Sequence, residues 1–166
     1  MNTKAIVGIF VGTVLLIGGL VWFGQPSGGQ NNVTTSNEPN SVLKTEESSY
    51  DFGTVSMANG NVSRIFKVRN IGPETVMMDK LYTSCMCTSA SLMMGGQKFG
   101  PFGMPGHGAA PSIKANLAPG QEAEIEVVFD PTAHGPAGVG KIERVVILEN
   151  SAGSPVEFNF SANVTP

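Results

Sequence analysis

Grouped positive charge is missing from this chain. Lys and Arg total 10 in 166 residues, charged residues of both signs make up 14%, and the formal net charge is -3. No run of cations follows Lys4, which excludes a nucleic-acid partner, because phosphate binding needs clustered Lys and Arg. Cysteine is scarce too: there are two, enough for one intramolecular bridge at most. No repeat of about 20 to 50 residues occurs, so a solenoid or propeller is excluded. Beyond the first 23 residues there is no amphipathic helical periodicity, which rules out a bundle.

What is there begins with Ala5–Phe23, an uncharged run of Val, Ile, Leu and Gly behind a single cation at Lys4. As a helix it would cover about 28 Å, close to the hydrocarbon thickness of a bilayer. A secretory signal peptide normally has a shorter apolar region and an Ala-x-Ala-like site, and neither fits here. The run carries no Cys near its end, so a lipoprotein anchor is excluded. The expectation is an uncleaved transmembrane signal anchor over residues 5–23, with a cytoplasmic tip of residues 1–4 and everything after it outside the cell membrane. Residues 24–49 are rich in Gln, Asn, Ser, Thr, Gly and Pro and read as a disordered linker.

From Tyr50 the hydropathy pattern changes to period two, the mark of half-buried strands. In Pro155–Val164 the residues Val156, Phe158, Phe160, Ala162 and Val164 alternate with Glu157, Asn159, Ser161 and Asn163. Gln121–Asp130 places Ala123, Ile125, Val127 and Phe129 inward and Glu122, Glu124 and Glu126 outward, so those carboxylates read as a solvated face and not as an acidic site. Further strands are expected at Tyr50–Ser56, Val62–Asn70, Thr75–Leu81, Cys85–Leu92, Ser112–Leu117 and Lys141–Asn150. Val145–Leu148 is apolar on both faces and should be central, with Val145 and Ile147 buried. Turn residues such as Ala118-Pro119-Gly120-Gln121 separate these runs. Residues 50–166 are therefore expected to form an all-β, immunoglobulin-like antiparallel sandwich of about seven or eight strands, with a Gly/Pro/Met loop inserted at about 93–111.

Soft ligands are concentrated in one stretch. Cys85 and Cys87 stand one residue apart, followed by Met93, Met94, Met104 and His107. On an extended strand the two cysteine Cα atoms would be about 6.6 Å apart with both side chains on one face, near the upper limit for a bridge. That geometry predicts a reduced pair whose sulfurs converge on one Cu(I), with Met104 or His107 completing the set and Met93 or Met94 as alternates. Zinc ranks below copper: it wants four ligands, and His134, the remaining candidate, is distant in sequence. A thiol–disulfide exchange protein would carry Cys-x-x-Cys at a helix N-terminus, and this chain does not. His134 close after Asp130 reads as a satisfied turn, since no nucleophile is tied to it by spacing. Phe99 and Phe102 offer an apolar patch for docking another envelope protein.

Tyr50-Asp51-Phe52-Gly53-Thr54-Val55, Phe66-Lys67-Val68-Arg69-Asn70-Ile71-Gly72, Ser84-Cys85-Met86-Cys87-Thr88, Leu117-Ala118-Pro119-Gly120 and the closing Phe158–Val164 follow one another as in the bacterial domain-of-unknown-function 1573 family, which the chain resembles. The resemblance implies an exported immunoglobulin-like module, often membrane-anchored, with no established activity. Two departures bear on function: Met86 stands where the family usually has Gly, and the loop after the cysteines is longer. Together these readings predict a membrane-anchored extracytoplasmic binding module that is not an enzyme. It either carries Cu(I) or docks a partner without metal, with thiol–disulfide redox chemistry third.

Overall fold

The computed structural model describes residues 42–106 and 112–166, all within the compact unit Thr35–Pro166. The expected anchor, most of the expected linker and His107 lie outside the described residues. Among the described residues no helix is long and apolar enough to cross a membrane.

Among the described residues ten strands build two five-stranded sheets: β1 (Leu43–Thr45), β2 (Ser49–Ser56), β3 (Val62–Asn70), β4 (Val76–Thr83), β5 (Thr88–Met94), β6 (Gln97–Phe102), β7 (Ser112–Leu117), β8 (Glu122–Phe129), β9 (Gly140–Asn150) and β10 (Val156–Thr165). One sheet runs β1-β3-β8-β5-β6 and the other β2-β10-β9-β4-β7. The only helical segments among the described residues are two short 3-10 turns, Met57–Asn59 and Gly135–Gly138. The β-sandwich expectation holds, with one correction: β2 pairs with β10 in parallel, so the second sheet is mixed.

Alternation is realised as the period-two pattern requires. Ala123, Ile125, Val127 and Phe129 of β8 are buried, as are Val156, Phe158, Phe160, Ala162 and Val164 of β10. Aromatic rings bridge the sheets: Phe66 on β3 meets Phe158 on β10 at 5.0 Å between centroids, and Phe129 on β8 meets Phe160 at 5.6 Å. Outward carboxylates pair with lysines, Glu122 with Lys67 at 3.1 Å and Glu126 with Lys98 at 2.7 Å, which bears out the solvated-face reading.

β9 does lie centrally between β10 and β4, but its inward residues are Val146 and Leu148, while Val145 and Ile147 are half-buried. Its residues are apolar on both faces, so alternation alone leaves the inward set undetermined; pairing with β4 decides it. Two strands were not expected. β1 lies in the stretch read as linker and pairs with β3, and β6 lies in the stretch read as loop and forms an edge hairpin with β5.

The Asn70-x-Gly72 pair closes one end of the sandwich. Asn70 is fully buried, and its Nδ2 donates to the carbonyls of Glu74 (2.7 Å) and Leu117 (2.9 Å) while its Oδ1 accepts from Gly72 N–H (2.9 Å). Its own backbone exchanges hydrogen bonds with Gln121 and Gly120. One side chain thus satisfies three backbone groups where β3, β4 and β7 converge. Gly72 has no room for a side chain, since a Cβ there would sit 2.9 Å from the Cβ of Val42.

Candidate functional site

Cys85 and Cys87 do not lie on a strand. β4 ends at Thr83 and β5 begins at Thr88, so the cysteines occupy the turn that carries the chain from one sheet to the other. Thr88 N–H donates to the Cys85 carbonyl at 3.1 Å, closing that turn. Beneath it the fully buried Thr83 hydroxyl donates toward the carbonyls of Cys85 (2.9 Å) and Thr88 (3.0 Å). Both sheets hold the turn from outside. Ser84 N–H donates to the Val145 carbonyl and Val145 N–H to the Ser84 hydroxyl, on the β9 side, while Asp130 N–H, just past β8, donates to the Cys87 carbonyl.

The turn corrects the expectation of a reduced pair. It brings the two Cα atoms to 5.2 Å, inside the range a bridge requires, and Cys85 and Cys87 form a disulfide. The extended spacing assumed for a strand is shortened here by the reversal of the chain. Both cysteines are buried, at 7% and 2% exposure.

Each sulfur has a different polar neighbour. Cys85 Sγ lies 3.1 Å from His134 Nε2, and Arg144 Nε–H donates to Cys87 Sγ at 3.3 Å. Within the turn, Cys87 N–H donates to Cys85 Sγ at 3.2 Å. His134 is presented by the loop after β8, which the Asp130 carboxylate shapes by accepting from both the backbone N–H and the hydroxyl of Thr132. That carboxylate is therefore engaged in a local turn, as expected for this Asp/His pair. Arg144 projects from β9, and its second nitrogen is held by the Glu143 carbonyl.

The cluster of possible ligand atoms that the structure assembles is Cys85, Cys87 and His134, all within 4.8 Å of one another. In sequence 49 positions separate His134 from Cys85, too far for spacing to tie them; the fold makes it the nearest imidazole among the described residues. Of the expected helpers, Met104 follows Gly103, whose carbonyl accepts from Thr83 N–H, and Met93 and Met94 end β5 half-buried, Met94 against the core. His107 is outside the described residues. Phe99 and Phe102, expected as docking anchors, are half-buried on β6 and pack against the core instead of standing free. The exposed apolar side chain nearest in sequence to the cysteines is Met86, between them, at 58% exposure. Arg144 was missed because a lone Arg on a strand carries no spacing signal.

Residues 43–96 match the profile of a family described as "Protein of unknown function (DUF1573)". The sequence matches none of the curated proteins. Among solved structures, a protein of unknown function from Porphyromonas gingivalis W83 is similar with a TM-score of 0.54 at 12% identity, over 76% of this chain and 51% of that one. A family 123 glycoside hydrolase from Clostridium perfringens is similar with a TM-score of 0.50 at 8% identity, over 70% of this chain and 22% of that one. The chain thus spans about half of the first protein and about a fifth of the second. The ASH/PapD-like domain 7 of human CEP192 aligns with a TM-score of 0.47 at 13% identity, over 84% of this chain and 96% of that one. At such identities the likeness to the first two is one of fold alone.

Proposed function

We propose that the chain, whose residues 43–96 match the profile of the unknown-function family DUF1573, is an extracytoplasmic immunoglobulin-like module whose working part is a redox pair, Cys85 and Cys87. The observation that carries this reading is the pairing of each sulfur with its own polar partner, His134 on Cys85 and Arg144 on Cys87. A disulfide that only staples the fold needs neither. A cationic hydrogen-bond donor on a sulfur stabilises the thiolate released when the bond is opened, and so eases reversible reduction. The step balances with an exogenous dithiol. One of its thiolates attacks a sulfur of the bridge, the S–S bond breaks and the other cysteine leaves as thiolate; the donor's second thiolate then attacks the resulting mixed disulfide, closing a disulfide of its own and releasing the first cysteine.

The module acts stoichiometrically and not as an enzyme, tethered to the cell membrane by Ala5–Phe23. Binding of Cu(I) belongs to its reduced state, because in the disulfide the two sulfurs share a bond. Docking of an envelope protein without metal is the second reading, favoured by the exposed Met86 at the crown of the turn. Equilibration with dithiothreitol at graded oxidised-to-reduced ratios, followed by alkylation and intact-mass measurement, tests the redox reading. The expected result is reversible two-electron interconversion in the folded protein, with Arg144→Leu shifted toward the disulfide. A pair that opens only on unfolding would overturn it. The same mass measurement on native protein reads the topology: a retained N-terminus supports the tether, and a mature start near Gln25 refutes it.

A further inference from the structure

We infer that, once the bridge is opened, Cys85 Sγ, Cys87 Sγ and His134 Nε2 form a three-coordinate site for Cu(I); this rests on the redox reading above. The three donor atoms already lie within 4.8 Å of one another, and the sulfur-to-imidazole separation is 3.1 Å. Opening the bond requires two electrons and two protons from a dithiol, which becomes a disulfide. The freed sulfurs can then swing apart about their Cα–Cβ bonds while the backbone stays held by β9 and the end of β8. Cu(I) displaces the two thiol protons to solvent.

Donor number and softness select the metal. Two thiolates and an imidazole are a soft set, and the cluster stops at three His, Cys, Asp or Glu groups among the described residues. A structural Zn(II) site takes four. Charge agrees with this choice: two thiolates and one Cu(I) leave a net charge of -1, and the Arg144 guanidinium on Cys87 Sγ offsets it in a buried setting. The cysteines are buried while His134 is exposed, so the imidazole forms the open side through which an ion enters.

The test uses the full-length chain in detergent, reduced with a phosphine, desalted under anaerobic conditions and titrated with Cu(I) against a coloured Cu(I) chelator. Reduced wild type is expected to bind one Cu(I), with two sulfur and one nitrogen neighbours in its X-ray absorption spectrum, and the disulfide form to bind none. His134→Ala should weaken binding about tenfold or more, and by more than Met104→Leu or His107→Ala. Equal uptake by the disulfide form or by the Cys85→Ser/Cys87→Ser variant overturns the site. So does unchanged affinity in His134→Ala, a larger loss in the Met104 or His107 variants, or displacement of Cu(I) by Zn(II). Thiol counting by alkylation separates the failures. A pair that is reduced in the folded chain yet takes up no Cu(I) removes only the metal assignment, whereas a pair that resists reduction removes the redox reading as well.

Discussion

Reducing the Cys85–Cys87 bond should leave the domain folded, and the size of the effect follows from the chain itself. The two cysteines are separated by 2 positions in sequence. In the loop-entropy description, a closed loop of about three residues removes roughly 5 cal/mol/K from the unfolded chain, or about 1.6 kcal/mol at 25 °C, half the value for a 15-residue loop. The turn also keeps supports that do not involve sulfur: the Thr83 hydroxyl, the Ser84–Val145 pair and the Asp130–Cys87 bond all survive reduction. Against a domain stability of about 5 to 15 kcal/mol this loss is tolerable. Thermal melts of the full-length chain followed by circular dichroism, with and without a phosphine reductant, should differ by roughly 4 to 9 °C. A drop of more than about 20 °C, or loss of the β-sheet signal at room temperature, would show that the bond is a structural staple and that a redox cycle in the folded state is untenable.

Other perturbations separate core, hub and surface. Phe158→Ala removes a fully buried ring that bridges the sheets to Phe66 and should cost about 3 to 5 kcal/mol in urea titration. Asn70→Ala strands the carbonyls of Glu74 and Leu117 and the N–H of Gly72, and should cost roughly 2 to 4 kcal/mol; a loss below about 0.5 would mean that water replaces the side chain. The Glu149 carboxyl is held below its ordinary 4.5 by the hydrogen bond from Lys80, at 2.7 Å, with Tyr82 adding to the effect. A folded value below the unfolded one means that this contribution is present above the ordinary carboxylate range and lost as pH falls through the folded value. Melting temperature against pH should therefore have a shallower acid limb in Glu149→Gln than in wild type.

Eight of the ten strands are legible from alternation, and Val62–Asn70 and Ser112–Leu117 have the expected bounds. Alternation marks them because a strand with one wet face and one dry face must write that difference into every second residue. β1, with only 3 residues, is too short to write it. β6, at the sheet edge, has no residue buried outright, so its Gly and Pro dominate the pattern. The Asn-x-Gly motif is legible in sequence, but its role as a buried hub depends on Leu117 arriving from β7, 47 positions away, to join the local Glu74 carbonyl of the β3–β4 turn.

The amino-acid order by itself determined the all-β class, the inward faces of β8 and β10, and the concentration of sulfur at Cys85 and Cys87, because each is a local property of neighbouring residues. Three things were decided only in the folded chain. The reversal between β4 and β5 brings the cysteines into a bond that an extended segment would strain to reach. The loop after β8 and the body of β9 deliver His134 and Arg144 to the two sulfurs across 49 and 57 positions. Strand pairing also chose Val146 and Leu148 for the core. All three depend on which strands pair and at which end of the sandwich their connections meet, and sheet pairing is a long-range choice that no window of sequence contains.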